Sequence, residues 1–175
     1  MPMRGSNVLL LLMALVSVPS LHAQTKGAIG GDNMMLFGIV SDEKGDAEMQ
    51  NVCVRVYTDS IAGDSVFTDA MGKYQLFVPL KGVHRLVYST DGYHRKAVAI
   101  DANGEMDEAA RGEEWNMRID ISLTKADIAL PDDLLDTPIG KAAWQPEMRE
   151  FQWDQPYTER YKQRYKQEVK AAGKK

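Results

Sequence analysis

The chain has 175 residues, 26% of them charged and 44% apolar, with a formal charge of −4 and one cysteine, Cys53. A single thiol makes no internal disulfide, which excludes a cross-linked miniature scaffold, and Cys53 reads as a small packed residue because no base stands near it in the sequence. The charge is divided: residues 157–175 hold seven Lys or Arg against two Glu, whereas residues 24–156 carry a net −10, so the body is a poor match for a nucleic-acid backbone.

Residues 1–23, MPMRGSNVLLLLMALVSVPSLHA, have the three parts of a secretory signal. Arg4 supplies the charge, Val8 to Val18 an apolar run too short to span a bilayer comfortably, and Ala23 a small residue at the boundary. Cleavage after Ala23 is expected; the alternative is an uncleaved anchor. Residues 24–33 are Gly-rich and polar and read as a flexible lead-in.

From Met34 the hydrophobic period becomes two. Runs rich in Val, Ile, Phe, Tyr and Thr cover 34–42, 52–58, 64–69, 73–79, 84–90, 93–101 and 116–124, and each reads as a short strand. The phase sets the faces: Val52, Val54 and Val56 lie on one side, as do Tyr74, Leu76 and Val78, and as do Met117, Ile119, Ile121 and Leu123. Phe77 falls on the outer face. Turn residues separate the runs, among them Asp69, Gly72 and Gly92, where a carboxylate can accept the amides of a reversal and a glycine can adopt positive φ. Within VFTDAMGKYQLFVPL, Thr68, Asp69 and Lys73 therefore read as a hairpin turn, with no base or oxyanion site beside them. Seven strands over 34–124 without an intervening amphipathic helix predict an all-β fold: a seven-stranded antiparallel Greek-key β-sandwich.

Beyond Lys125 the pattern is lost. Residues 125–156 mix Pro, Gly and Asp with isolated apolar positions and read as an irregular extension, yet Trp144, Phe151 and Trp153 are too many large aromatics for a free linker. They are expected to dock on the outer face of the sandwich, beside Phe77 and Tyr57. Residues 157–175 read as a basic, separable helix, with Tyr157, Tyr161 and Tyr165 on one stripe and Pro156 admissible in its first turn.

Several of these residues carry a resemblance. Gly38-x-Val40-x-Asp42 with Gly45, then Thr68-Asp69-x-x-Gly72-x-Tyr74-x-Leu76-x-Val78-Pro79, then Tyr88-Ser89-x-x-Gly92-Tyr93 resemble the carboxypeptidase regulatory-like, transthyretin-like domain family over about Leu36 to Leu123. Glu48 to Val52 depart from the Pro-Leu-x-Gly-Ala run usual in that family. The resemblance implies an exported accessory module of the periplasm or cell envelope, of the kind found in Bacteroidetes-type bacteria, and implies no catalysis.

The residues name no catalytic set, no cofactor and no metal site. His84 and His94 are the only histidines after the signal, without a paired ligand at metal-binding spacing; they would have to carry a small periplasmic hydrolase if one existed. The acidic stretch 101–108, with Asp101, Asn103, Asp107 and Glu108, offers oxygen ligands to calcium but reads equally as a solvated loop between strands. The candidate interaction residues are Trp144, Phe151, Trp153, Tyr157, Tyr161 and Tyr165. The expected function is non-enzymatic binding of an envelope protein or a surface glycan, with no nucleic acid and no membrane span after signal cleavage. A carbohydrate-binding module would need Trp144 and Trp153 exposed on one platform.

Overall fold

The computed structural model describes residues 32–44 and 47–172. The expected signal, the lead-in at 24–31 and Gly45 lie outside the described residues. Strict alternation builds the first strand, β1 (Asn33–Asp42), which buries every second residue from Met34 to Val40. The same period runs through β2 (Cys53–Thr58), β4 (Lys73–Pro79) and β5 (Val83–Ser89), whereas β3 (Ile61–Phe67) is an edge strand with no buried residue and β6 (Lys96–Asp101) opens on three buried residues. Short β7 (Trp115–Arg118) and β8 (Ile121–Leu123) follow a single helical turn, α1 (Glu108–Arg111). The chain then adds α2 (Asp132–Asp136), β9 (Gly140–Gln145), β10 (Glu150–Trp153) and α3 (Gln155–Ala172).

These strands make a β-sandwich of two sheets with a C-terminal helix. One sheet has the order β4-β1-β7, with β8 continuing β7 along the same edge of β1; the other has the order β10-β9-β6-β5-β2-β3. Leu36, Val54, Leu86 and Ile100 face one another between the sheets and are fully buried. Tyr74 and Tyr88 tie the two sheets: the Tyr88 hydroxyl donates to that of Tyr74 over 2.7 Å, and Tyr74 donates to the Ile119 carbonyl over 2.8 Å. Neither phenol is left without a partner in the low dielectric of the core, and burial pushes both pKa values up.

The all-β sandwich matches the expectation, and four details differ. First, the described residues contain ten strands, not seven, because residues 125–156 supply β9 and β10 and the expected strand 116–124 is divided into β7 and β8. Second, β1 pairs in parallel with β7 and β8, and β6 pairs in parallel with β9, so the sandwich is mixed where antiparallel pairing was expected. Alternation fixes which face is buried but carries no information on strand direction.

Third, the expected strand 116–124 is broken at Ile119 and Asp120. The Asp120 carboxylate accepts the Ile39 amide at 3.0 Å in place of a backbone carbonyl. Gly38 makes the kink possible, since a Cβ there would lie 2.0 Å from the Ile119 carbonyl oxygen.

Fourth, the turn at 68–73 has the expected chemistry but joins strands of different sheets. Asp69 Oδ1 accepts the amides of Met71 and Lys73 at 2.9 Å, and Gly72 has φ +66°. Yet β3 pairs with β2, and β4 with β1. The turn is a corner between layers, not a hairpin within one. Buried Thr68 holds it, accepting the Val52 amide and donating to the Met49 carbonyl.

Candidate binding cleft

The second sheet is wider than the first. Strands β9 and β10 extend past the β7–β8 edge and leave an overhanging inner face. Trp144, opposite Phe151, and Ala142, opposite Trp153, share that face because directly paired residues point the same way. Trp144 enters the core, where its ring meets Trp115 edge-to-face at 5.0 Å and Phe151 at 5.4 Å, and its indole N–H donates to the Glu105 carbonyl. The aromatics are thus docked, but within the overhang and against Trp115; the expected seat beside Phe77 and Tyr57 is corrected. Strand pairing of β9 to β6, not side-chain docking alone, sets their place.

Helix α3 covers the rest of the overhang. Asp154 starts it, accepting the Tyr157 amide at 2.9 Å. Gly140 makes room for the Trp153 ring, from which a Cβ there would lie 3.2 Å, and Thr158 of α3 packs over the same spot. The tyrosine stripe lies against the body through its tips. Tyr157 donates to the Pro138 carbonyl at 2.6 Å, with Lys141 over its ring at 4.3 Å; Tyr161 reaches the Leu134 carbonyl and stacks on Tyr165. Arg164 pairs with Asp133 at 2.6 Å.

Tyr165 is buried and donates to Glu43 Oε2 at 2.6 Å. Thr124 donates to the same carboxylate oxygen, and the Lys96 ammonium stands 3.7 Å from it. Lys96 also donates to the Ser122 carbonyl at 2.6 Å and lies 4.8 Å from the Tyr165 ring centre. Partial burial works to raise the Glu43 pKa, but the hydroxyls of Thr124 and Tyr165 and the Lys96 charge hold it below the usual value. Burial lowers Lys96, with Glu43 opposing. Burial raises Tyr161 to about 12 and Tyr165 further, so both remain neutral donors at physiological pH.

Between α3 and the β7–β8 edge runs a cleft of about 480 Å³, a size that accommodates small ligands or a short chain segment. Val98 and Gly140 form its floor, Ile119 and Ile121 line the strand wall, and Tyr161 and Tyr165 line the helix wall. Trp153 closes one end and Glu43 with Lys96 the other. Lys96, Arg118, Lys162 and Lys166 outnumber Glu43 and Asp120 in the lining. A cationic cleft on an otherwise acidic body attracts an anionic ligand.

Of the sequence candidates, Trp153, Tyr161 and Tyr165 come together at this cleft; Phe151 packs against the core and Tyr157 is tied to the Pro138 side of α3. Asp69, Gly72 and Gly92 do not line it and act in their turns. Lys96 was not among the candidates, although a signal existed: it shares the phase of Val98 and Ile100, which places a charge on an inward face. Glu43, Arg118 and the helix lysines carried no such signal.

The two histidines are engaged elsewhere. His84 is fully buried, with Nε2 2.8 Å from the Pro79 carbonyl and Nδ1 2.9 Å from the Thr58 hydroxyl. Because a carbonyl only accepts, Nε2 carries the proton and Nδ1 accepts from Thr58. Burial lowers the His84 pKa. The Thr58 and His84 pair has the spacing of a nucleophile and base, but the cleft does not reach it. His94 Nε2 meets the Ile128 carbonyl at 2.6 Å.

In the acidic stretch, Asp101 accepts the Asn103 amide, while Asp107 caps α1 and pairs with Arg149. Among the described residues no group of three or more His, Cys, Asp or Glu side chains could hold a metal ion, and no helix is long and apolar enough to cross a membrane.

No protein-family model matches the chain, and no curated protein matches it. Remote likenesses occur among solved structures. The 3-chlorocatechol 1,2-dioxygenase of Rhodococcus opacus 1CP is 12% identical with a TM-score of 0.42, over 55% of this chain and 61% of that one. The Bacillus anthracis TIE protein is 14% identical with a TM-score of 0.42, over 53% and 17%. The group B streptococcus pilus 2b backbone protein is 12% identical with a TM-score of 0.37, over 53% and 41%. This chain thus spans less than two thirds of each, and likenesses this remote say nothing of what it binds or catalyses.

Proposed function

We propose that the chain is a non-enzymatic β-sandwich module, exported to the periplasm or cell envelope, that holds a partner in the cleft between α3 and the β7–β8 edge. The cleft itself carries this reading: apolar walls, three aromatic rings and an excess of cations meet in one concave surface. Such a surface suits recognition, since Glu43 is bonded to Tyr165, Thr124 and Lys96, Asp120 to Arg118, and none of the lining groups forms a nucleophile with its base. The resemblance to the carboxypeptidase regulatory-like family and the signal-like residues 1–23 support the envelope setting. A glycan platform of Trp144 and Trp153 finds no support, because Trp144 is buried.

The test is recovery of the protein from native envelopes with its partner attached. The expected result is a mature species beginning at Gln24 whose partner is lost on Tyr161→Ala combined with Lys166→Glu, while thermal unfolding stays cooperative. Retention of the same partner by that variant, or a species still carrying residues 1–23, would overturn the cleft or the export reading respectively.

A further inference from the structure

The strand wall of the cleft is a sheet edge. In a parallel ladder a residue opposite its partner turns its own N–H and C=O away when its two neighbours make the bonds. Arg118 stands opposite Phe37, and the Ile119 amide donates to the Phe37 carbonyl at 2.8 Å. The main-chain groups of Arg118 are therefore aimed away from β1, outward at the edge. The same phase holds at β8, where the Leu123 carbonyl accepts the Glu43 amide on the β1 side, leaving Ser122 turned outward. There Lys96 already occupies the Ser122 carbonyl at 2.6 Å. The edge is thus closed at Ser122 by a lysine and open at Arg118, beside a helix that stands off across the cleft.

A slot between a sheet edge and a helix is the geometry in which an extended segment adds as one more strand, drawing affinity from main-chain bonds and selectivity from alternate side chains. Ile119 and Ile121 offer the apolar contacts. Arg118, Lys162 and Lys166 line the slot on the remaining sides; the Asp120 carboxylate is already held by Arg118 and the Ile39 amide, and Lys162 meets Glu159 at 3.1 Å in an exposed pair that a ligand carboxylate would have to share or displace.

We propose that the cleft binds an extended acidic peptide segment of a partner protein, which pairs with the β7 edge at Arg118 and sets its carboxylates against Lys162 and Lys166. This rests on the cleft reading above and adds the class of ligand. The charge balance favours an acidic segment over a neutral one, and the outward main-chain groups favour a peptide over a glycan, which has no matching ladder of donors and acceptors.

The probe is a labelled seven-residue peptide alternating Val and Glu, titrated into the full chain while anisotropy and Trp fluorescence are followed. Saturable binding is expected, with a change in Trp emission because Trp153 closes the slot, and with weakening as salt rises from about 50 to 150 mM because exposed charges are screened. Lys162→Glu with Lys166→Glu should weaken binding about tenfold or more, and circular dichroism should confirm that the variant stays folded. A second peptide with Pro at its central Val keeps the charge but cannot complete a ladder, and it should bind at least about tenfold more weakly.

Equal binding of the two peptides, or equal binding of a uronic-acid oligosaccharide of matched charge, would overturn the strand-addition proposal while leaving the cleft reading intact. Failure of every anionic probe to bind or to alter Trp emission would overturn both.

Discussion

Leu36, Val54, Leu86 and Ile100 in the sandwich are buried completely by neighbours that follow the same two-residue period, whereas Tyr157, Tyr161 and Tyr165 of α3 bury rings and place each hydroxyl on a different acceptor of the body. The first region is held by many interchangeable apolar contacts; the second by a few polar-tipped aromatics at particular positions. Loss of one apolar group is graded, because neighbours relax around the cavity. Loss of one tyrosine tip removes a whole anchor. Trp144 belongs with the first region although it lies in the extension, since it sits in the core between Trp115 and Phe151.

The largest expected effect tests that placement. Trp144→Ala should destabilise by about 3–5 kcal/mol in urea unfolding, comparable with Leu86→Ala at about 2–5 kcal/mol. If Trp144→Ala cost much less, the overhang would be an appendage and the comparison would be redrawn at Leu123. Next comes the corner between sheets. Gly72 and Gly92 both have positive φ, but a Cβ at Gly72 would lie 2.5 Å from the Val40 carbonyl oxygen, whereas the space at Gly92 is open. Gly92→Val should cost only the backbone strain, about 1–3 kcal/mol. Gly72→Val should exceed it by the overpacking cost, about 1–3 kcal/mol more. Equal melting shifts would contradict the close approach.

Tyr165→Phe probes the second region: it removes the donor to the Glu43 carboxylate but leaves the ring, and should cost about 1.5–3 kcal/mol. It should also speed hydrogen exchange in α3 more than in β1, which separates an anchor from a core residue. Acid titration separates the two regions again. His84 has its folded pKa lowered by burial, so the unfolded chain takes up that proton first and stability falls as pH drops below about 6.5. Glu43 has its folded pKa lowered by its bonds, so its contribution is present above about 4.5 and lost as pH falls through the folded value. The Glu43→Gln variant should keep the first decline and lack its share of the second. The smallest effect belongs to the exposed pair of Arg164 and Asp133, where Arg164→Ala should leave the unfolding midpoint unchanged within error.

What the sequence made legible follows the same division. Alternation at Met117, Ile119, Ile121 and Leu123 identified the buried face correctly even where the strand breaks, because burial depends on phase and the kink at Asp120 preserves it. Residues 140–145 escaped because GKAAWQ places Gly, Ala and Trp on its inner face, and small residues make no hydrophobic period. Gly140 is small for a reason that lies elsewhere in the chain: a Cβ there would crowd the Trp153 ring at 3.2 Å. The tyrosine stripe announced the face that α3 presents, but not its acceptors, which are main-chain carbonyls of Leu134 and Pro138 and the carboxylate of Glu43. The cleft was illegible because its walls come from β7, β8 and α3, and nothing local ties these stretches.

The bond between Tyr165 and Glu43 joins positions 122 residues apart. A contact of that span cannot form until nearly the whole chain is available, and closing so long a loop costs more entropy than closing any hairpin of the sandwich. On a chain delivered from its N-terminus, β1 and the turn after it would wait with Glu43 unpartnered by its tyrosine while the sheets assemble, and the helix would arrive last to meet it. The cleft would then come into being only with that final contact, so a chain stalled or trimmed before α3 would have a sandwich under construction but no helix wall to the cleft.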